Sequence, residues 1–242
     1  MRPLIGLLTC GVLVYGSTAS PAQAPSPDAL YAEREQPGRA RDAAAIWRAR
    51  LAANPRNFEA AWKLARAMYW LGGEGTPAAR RRDLEAGVEA GRRAIAIDPD
   101  RPDGHFWMAA NMGALAQSFG LRQGIRYRGP VKDALERVLA IDPAYQQGSA
   151  DRALGRWYAK VPRLFGGSQA KAELHLKRSL TYAPASTASL VFLAELYLDT
   201  GRRAEARTLL QRVVDGPVDP QWAPEDRRFK AEATRLLQTA PP

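Results

Sequence analysis

Ile95-Ala-Ile-Asp-Pro99 reads as the end of a helix, and the same ending returns along the chain. Leu51-Ala-Ala-Asn-Pro55, Leu139-Ala-Ile-Asp-Pro143 and Leu180-Thr-Tyr-Ala-Pro184 are versions of it, with successive prolines 44, 44 and 41 residues apart. A period in the range of roughly 20–50 residues marks a stacked repeat. One such unit cannot bury its apolar face alone, so neighbours must stack to build a core. The pattern points away from an enzyme with one pocket and toward an elongated binding surface.

The composition agrees. Of 242 residues, 46% are hydrophobic and 25% charged, which is within the range of folded soluble proteins. Ala, Leu, Arg and Glu dominate and runs of β-branched residues are scarce, so the expected fold class is all-α.

Outward from the proline phrase, the clearest unit is Leu190-x-x-Leu193-Ala194-x-x-Tyr197, then Gly201-Arg202, then Ala206-x-x-x-Leu210-x-x-Val213. Leu193, Ala194 and Tyr197 form one stripe of a first helix, and Ala206, Leu210 and Val213 the facing stripe of a second. Gly201 suits the left-handed turn between them. This closely resembles the tetratricopeptide repeat. HEAT repeats have a similar raw length, but the Asp-Pro ending and the Leu-Gly/Ala-x-x-Tyr pattern favour the tetratricopeptide type. The expectation is an α-α solenoid of about five hairpins over 25–222, with a C-terminal capping helix and tail over 223–242.

The first hairpin is expected as a short helix over 28–36, a Pro37-Gly38 turn and a helix over 39–53. The second pairs 58–71 with 77–97 across the break Gly72-Gly73-Glu74-Gly75. The third pairs 102–119 with 130–141 across a loop at 120–129. The fourth opens with Leu154-Gly155-x-x-Tyr158, and Ser168 caps its second helix, which runs to Tyr182. A terminal helix over 224–238 carries Phe229, Ala233, Leu236 and Leu237 on one side. The middle repeats exceed the roughly 34-residue tetratricopeptide unit, and such insertions collect on one face, often the binding face.

Met1-Arg2, the apolar stretch from Leu4 to Tyr15 and Ala22-Gln23-Ala24 have the layout of a secretory signal peptide cleaved after Ala24. The apolar stretch falls short of the roughly 20 residues needed to span a bilayer, so no transmembrane span is expected in the mature chain. Periplasmic or secreted localisation follows. Cys10, the only cysteine, leaves with the leader, and lipoprotein anchoring through it is not expected because Thr9 stands where a lipoprotein box has Gly or Ala. Without cysteine, a disulfide framework or thiolate metal site is excluded.

A narrower resemblance rests on Gly104-His-Phe-Trp107-Met-Ala-Ala-Asn-Met-Gly113, Gly124-Ile-Arg126, Leu154-Gly-Arg-Trp-Tyr158 and Phe165-Gly-Gly167. These look like the tetratricopeptide subfamily that contains the T-component of bacterial TRAP transporters, and are similar to the helical domain of regulator of microtubule dynamics proteins. The first resemblance implies a periplasmic accessory protein that docks a solute-binding protein and helps deliver a hydrophobic ligand.

The net charge of +10 rests almost wholly on arginine, with only six lysines. Basic clusters such as Arg80-Arg81-Arg82 are scattered among acidic residues and read as solvated helix faces. With export, they argue against nucleic acid and for an acidic partner, anionic lipid or glycan. No catalytic constellation, cofactor motif or metal-ligand spacing is present, so no enzyme activity, cofactor or metal is expected. His105 and His175 lie in different repeats and read as boundary or surface residues. Gly166-Gly167-Ser168 lacks the Gly-Lys-Ser/Thr of a nucleotide loop and reads as a turn with an N-cap.

Binding is instead expected on the concave, first-helix surface: Trp62, Arg66, Tyr69 and Trp70 in the second repeat, Phe106 in the third, Arg156 and Lys160 in the fourth. Aromatic rings mixed with arginine suit a peptide or an amphiphile with an acidic group. The competing reading makes Trp62 and Phe106 inter-repeat core residues, and Arg156 and Lys160 ordinary solvated charges. The expected function is a non-enzymatic envelope scaffold binding a protein or peptide partner. The alternative is a T-component-like accessory protein with a hydrophobic or anionic small ligand.

Overall fold

The computed structural model of the protein describes residues 25–239, so the proposed leader with Cys10 lies outside the described residues. Eleven α-helices and two 3-10 turns (Arg163–Phe165 and Pro220–Trp222) make up this range, and no strand occurs among the described residues. The helices are α1 (Pro27–Ala32), α2 (Arg39–Ala53), α3 (Phe58–Gly72), α4 (Pro77–Ile97), α5 (Pro102–Ser118), α6 (Gly120–Ile141), α7 (Tyr145–Lys160), α8 (Gln169–Tyr182), α9 (Thr187–Asp199), α10 (Arg203–Asp215) and α11 (Ala223–Thr239). They pair as five consecutive hairpins, with α11 packed on α9 and α10. The fold is an all-α solenoid.

Local chemistry explains the repeated phrase. Asn54, Asp98, Asp142 and Ala183 each end a helix in extended geometry, near φ −130 to −150° and ψ 84–98°. The residue before proline is driven there because the proline ring excludes helical geometry. The Asn54, Asp98 and Asp142 side chains then accept the amide hydrogen two residues on, at 3.1, 3.2 and 2.9 Å. This local bond favours Asn and Asp at the position. Helix starts are closed by Ser26, Asn57, Thr76, Ser168 and Ser186, whose side chains each accept an early amide hydrogen.

Small residues set the helix spacing. Gly87 on α4 faces the fully buried Asn111 of α5, where an added Cβ would lie 2.1 Å from the Asn111 amide oxygen. The Asn111 side-chain nitrogen donates to the carbonyls of Ala65 at 3.0 Å and Trp107 at 2.7 Å, so one side chain ties α3 to α5.

The core divides at α7. One cluster runs from Leu30 to Leu154 and a second from Tyr158 to Ala233, with Trp157 half-buried against both. The start of α7 is irregular: Gln146, Gln147 and Gly148 take left-handed φ values of 44, 60 and 71°. Only glycine adopts this region without strain, and at Gly148 a Cβ would also meet the Tyr182 ring at 2.7 Å.

Two elements differ from expectation. Residues 120–129 are helical and continuous with the helix after them, so α6 contains Pro130. Glycines at 120, 124 and 129 suggest a loop, but Tyr127 and Val131 are buried on α6 and packing outweighs propensity. α1 is shorter than expected, ending at Ala32, and turns continue to Pro37-Gly38.

Candidate binding groove

The inner row of helices encloses a groove of about 1120 Å³. Tyr69 enters from α3, Phe106 and Trp107 from α5, Arg152, Arg156, Trp157 and Lys160 from α7, and Phe192 from α9. The insertions supply further walls: Leu121 and Ile125 from the first turns of α6, and Phe165 from the 3-10 turn after α7. Val218, Trp222, Glu225 and Phe229 complete the lining from the C-terminal end. Leu121 is 72% and Ile125 51% exposed, and Tyr69, Phe165 and Val218 are also exposed. Six of the eight large apolar side chains left exposed among the described residues therefore line one cleft, Leu164 and Leu174 lying outside it.

The α7 cations are spaced at i, i+4 and i+8, which puts Arg152, Arg156 and Lys160 on one face. Glu195 on α9 pairs with two of them, accepting from Arg156 at 3.1 Å and from Lys160 at 3.2 Å. The Arg156 guanidinium also lies 4.1 Å from the Phe192 ring centroid. Arg152 has neither a hydrogen bond nor an ion pair among the described residues, and burial pushes its guanidinium down to about 10.

The first hairpin and the last helix meet beside the groove. Arg34, after α1, is buried and holds Glu225 of α11 through both carboxylate oxygens, with its Nε at 3.1 Å from one of them. Arg227 pairs with Glu35 and Arg228 with Glu74. The Arg228 guanidinium sits 3.9 Å over the Trp70 ring, and the Trp70 indole donates to the Arg34 carbonyl at 3.1 Å.

Of the concave residues expected from sequence, Tyr69, Phe106, Arg156 and Lys160 line the groove. Trp62, Arg66 and Trp70 do not. Arg66 is enclosed by aromatic rings, 4.1 Å from Tyr31, 5.0 Å from Trp62 and 5.7 Å from Trp47, and reaches Asp28 at 3.7 Å. Its charge stabilises the packing of the first repeat on the second, and burial lowers its pKa. Trp70 belongs to the contact between the first hairpins and α11. Arg152 was legible as the turn before Arg156 on the same stripe. The lining from α11 was not, because nothing local brings 225–229 back to the first hairpins.

His175 departs from the surface role expected for it. It stacks on Tyr158 at 5.4 Å and its Nδ1 lies 2.7 Å from the fully buried Asp151 carboxylate, which Arg178 approaches at 3.7 Å. His105 bonds the Pro99 carbonyl at 2.9 Å. Among the described residues no three His, Cys, Asp or Glu side chains come together to hold a metal.

With this geometry in view, comparison with known proteins is informative. The family model for the TRAP transporter T-component matches residues 98–236, and that for regulator of microtubule dynamics protein 1-3 matches residues 26–166. Regulator of microtubule dynamics protein 1 of Caenorhabditis elegans is 23% identical over 193 residues, covering 73% of this chain and 83% of that protein. Among solved structures, TTC0263, a thermophilic TPR protein of Thermus thermophilus, superimposes with a TM-score of 0.65 at 25% identity, covering 88% of this chain and 95% of that one. PilW, a type IV pilus biogenesis factor, gives a TM-score of 0.55 at 20% identity, covering 86% and 89%; it supports the fold alone.

Proposed function

The chain belongs to the TRAP transporter T-component family and, through an overlapping match, to the regulator of microtubule dynamics protein 1-3 family, and on that footing we propose a non-enzymatic binding protein that holds an elongated apolar ligand in its groove. The observation that carries this reading is the convergence of uncovered apolar side chains on one cleft whose walls come partly from the insertions. Monomeric proteins rarely leave such patches exposed without use. The groove slightly exceeds the roughly 300–1,000 Å³ of ordinary small-molecule sites, which suits a long ligand more than a compact one.

The tetratricopeptide-like fold supports protein interaction as well. Leu164, 88% exposed on the turn beside Phe165, and Leu121 give the groove mouth an apolar rim on which a protein partner can seat. In the T-component reading that partner is a solute-binding protein, and the site of action is the cell envelope after removal of residues 1–24. The peptide-scaffold reading is favoured by the length of the inner surface alone.

The test is a titration of the delipidated full chain with N-phenyl-1-naphthylamine, a neutral apolar probe, followed by displacement with C12 compounds. Saturable probe fluorescence that is lost on introducing charge into the wall, as in Ile125→Glu, is expected. Fluorescence that does not saturate, or that survives Ile125→Glu together with Phe192→Glu, sinks the reading.

A further inference from the structure

Within that ligand-binding reading, on which this inference rests, we infer that Arg152 with the Tyr69 hydroxyl forms a head-group subsite that selects a single-chain amphiphile ending in a carboxylate. The argument is one of charge balance. Each carboxylate along the groove is already engaged: Glu195 by Arg156 and Lys160, Glu225 by Arg34, and Asp226 by the Thr187 hydroxyl at 2.6 Å and the Asp219 amide at 2.8 Å. Asp219 accepts from the Gln221 amide at 2.9 Å.

Among the groove cations, Arg156 and Lys160 pair with Glu195, Lys160 lies 3.8 Å from Asp199 as well, and Arg128, without a carboxylate partner among the described residues, lies against the Phe165 ring at 5.4 Å. Arg152 keeps a full, half-buried charge with no counter-ion among the described residues. Tyr69 lines the same groove and interacts with Arg152 electrostatically, and its hydroxyl likewise has no hydrogen-bond partner among the described residues. A half-buried cation without a counter-ion gains from an anion that arrives with a ligand. The guanidinium fork matches a carboxylate through two parallel N–H bonds, and the tyrosine hydroxyl adds a third donor. Apolar walls formed by Trp107, Trp157 and Phe192 take the alkyl chain. Arg152, which has neither a carboxylate nor an aromatic-ring partner among the described residues, fits one carboxylate head.

Binding of dodecanoate, dodecanol and dodecyl phosphate to the delipidated full chain, read by tryptophan fluorescence and calorimetry below their aggregation concentrations, tests this. Dodecanoate is expected to bind at least tenfold tighter than dodecanol. Arg152→Gln is expected to bring dodecanoate to the level of dodecanol and leave dodecanol unchanged, while Arg152→Lys restores part of the gap. Arg152→Met, similar in length and apolar, serves if Arg152→Gln loses helicity. Equal binding of acid and alcohol, or a gap that survives both variants, overturns the head-group subsite while the apolar groove stands. Tighter binding of the phosphate than of the carboxylate overturns the carboxylate assignment. Failure of all three to bind, with a free-carboxylate amphipathic peptide binding instead, overturns this inference and the ligand reading together.

Discussion

Arg34 and Glu225 lie 191 positions apart in the chain and form a two-pronged ion pair, with the arginine side chain 5% and the glutamate 30% exposed. This contact joins the first hairpin to the last helix. It turns an open stack into a stack whose ends touch, and Glu225 forms part of the groove wall as well. An end-capping helix in a solenoid needs only a polar outer face; α11 has in addition a set of charges addressed to specific residues at the other end.

The closure should be the most sensitive point for stability outside the apolar core. Arg34→Ala leaves Glu225 without its partner, and breaking a buried pair on one side costs about 3 kcal/mol. Urea denaturation should show that loss. Glu35→Gln and Glu74→Gln, whose pairs are more exposed, should each cost less than about 1 kcal/mol. A loss from Arg34→Ala as small as theirs would show that the ends meet without mutual support.

Gly87→Ala should destabilise by about 1–3 kcal/mol, because the new methyl overlaps Asn111 and the core must shift to admit it. Gly113→Ala on α5 is the matched control: nothing lies within 4 Å of the added carbon. That substitution should raise stability by up to about 1 kcal/mol through helix propensity. Thermal unfolding of the two variants should therefore move in opposite directions.

Glu173 predicts the acid response. Hydrogen bonds from Lys177 first, then from Arg202 and Tyr197, hold its carboxyl down at about 2, against an ordinary value of 4.5. The folded pKa is depressed, so the stabilisation is complete above about pH 4.5 and is lost as pH falls toward 2. Unfolding free energy measured across that window should fall less steeply in Glu173→Gln than in the natural chain. Equal slopes would remove Glu173 from the acid response.

Gln147 holds a left-handed conformation that costs about 1–2 kcal/mol for a residue with a side chain. Gln147→Gly removes that strain and adds back less through chain entropy, so a net gain of about 1 kcal/mol is expected. Denaturation midpoints check this, and a loss of stability would mean that the Gln147 side chain makes a contribution larger than its strain.

Much of the fold was legible because it is local. The proline phrase, the Asn or Asp before it, the Ser and Thr caps and the small-residue stripes act within one hairpin or between neighbours. The errors fall where packing overrides local preference. Three glycines and Pro130 suggested a loop, yet the buried Tyr127 and Val131 hold 120–129 in a helix. The lining of the candidate groove was legible in part: Tyr69, Arg156 and Lys160 line it, Phe106 lines it while lying in the buried core, and Trp62 and Arg66 pack the first repeats.

The amino-acid sequence by itself determined a stack of helical hairpins, because a period of about 44 residues with a helix stop in each copy acts at short range and repeats. Only the tertiary structure decided that the stack closes on itself, that Trp70 belongs to the seam and that Arg152 stands without a counter-charge among the described residues. Those outcomes depend on small rotations accumulated over five hairpins. Such a sum sets which distant side chains meet, and no short stretch of chain encodes it.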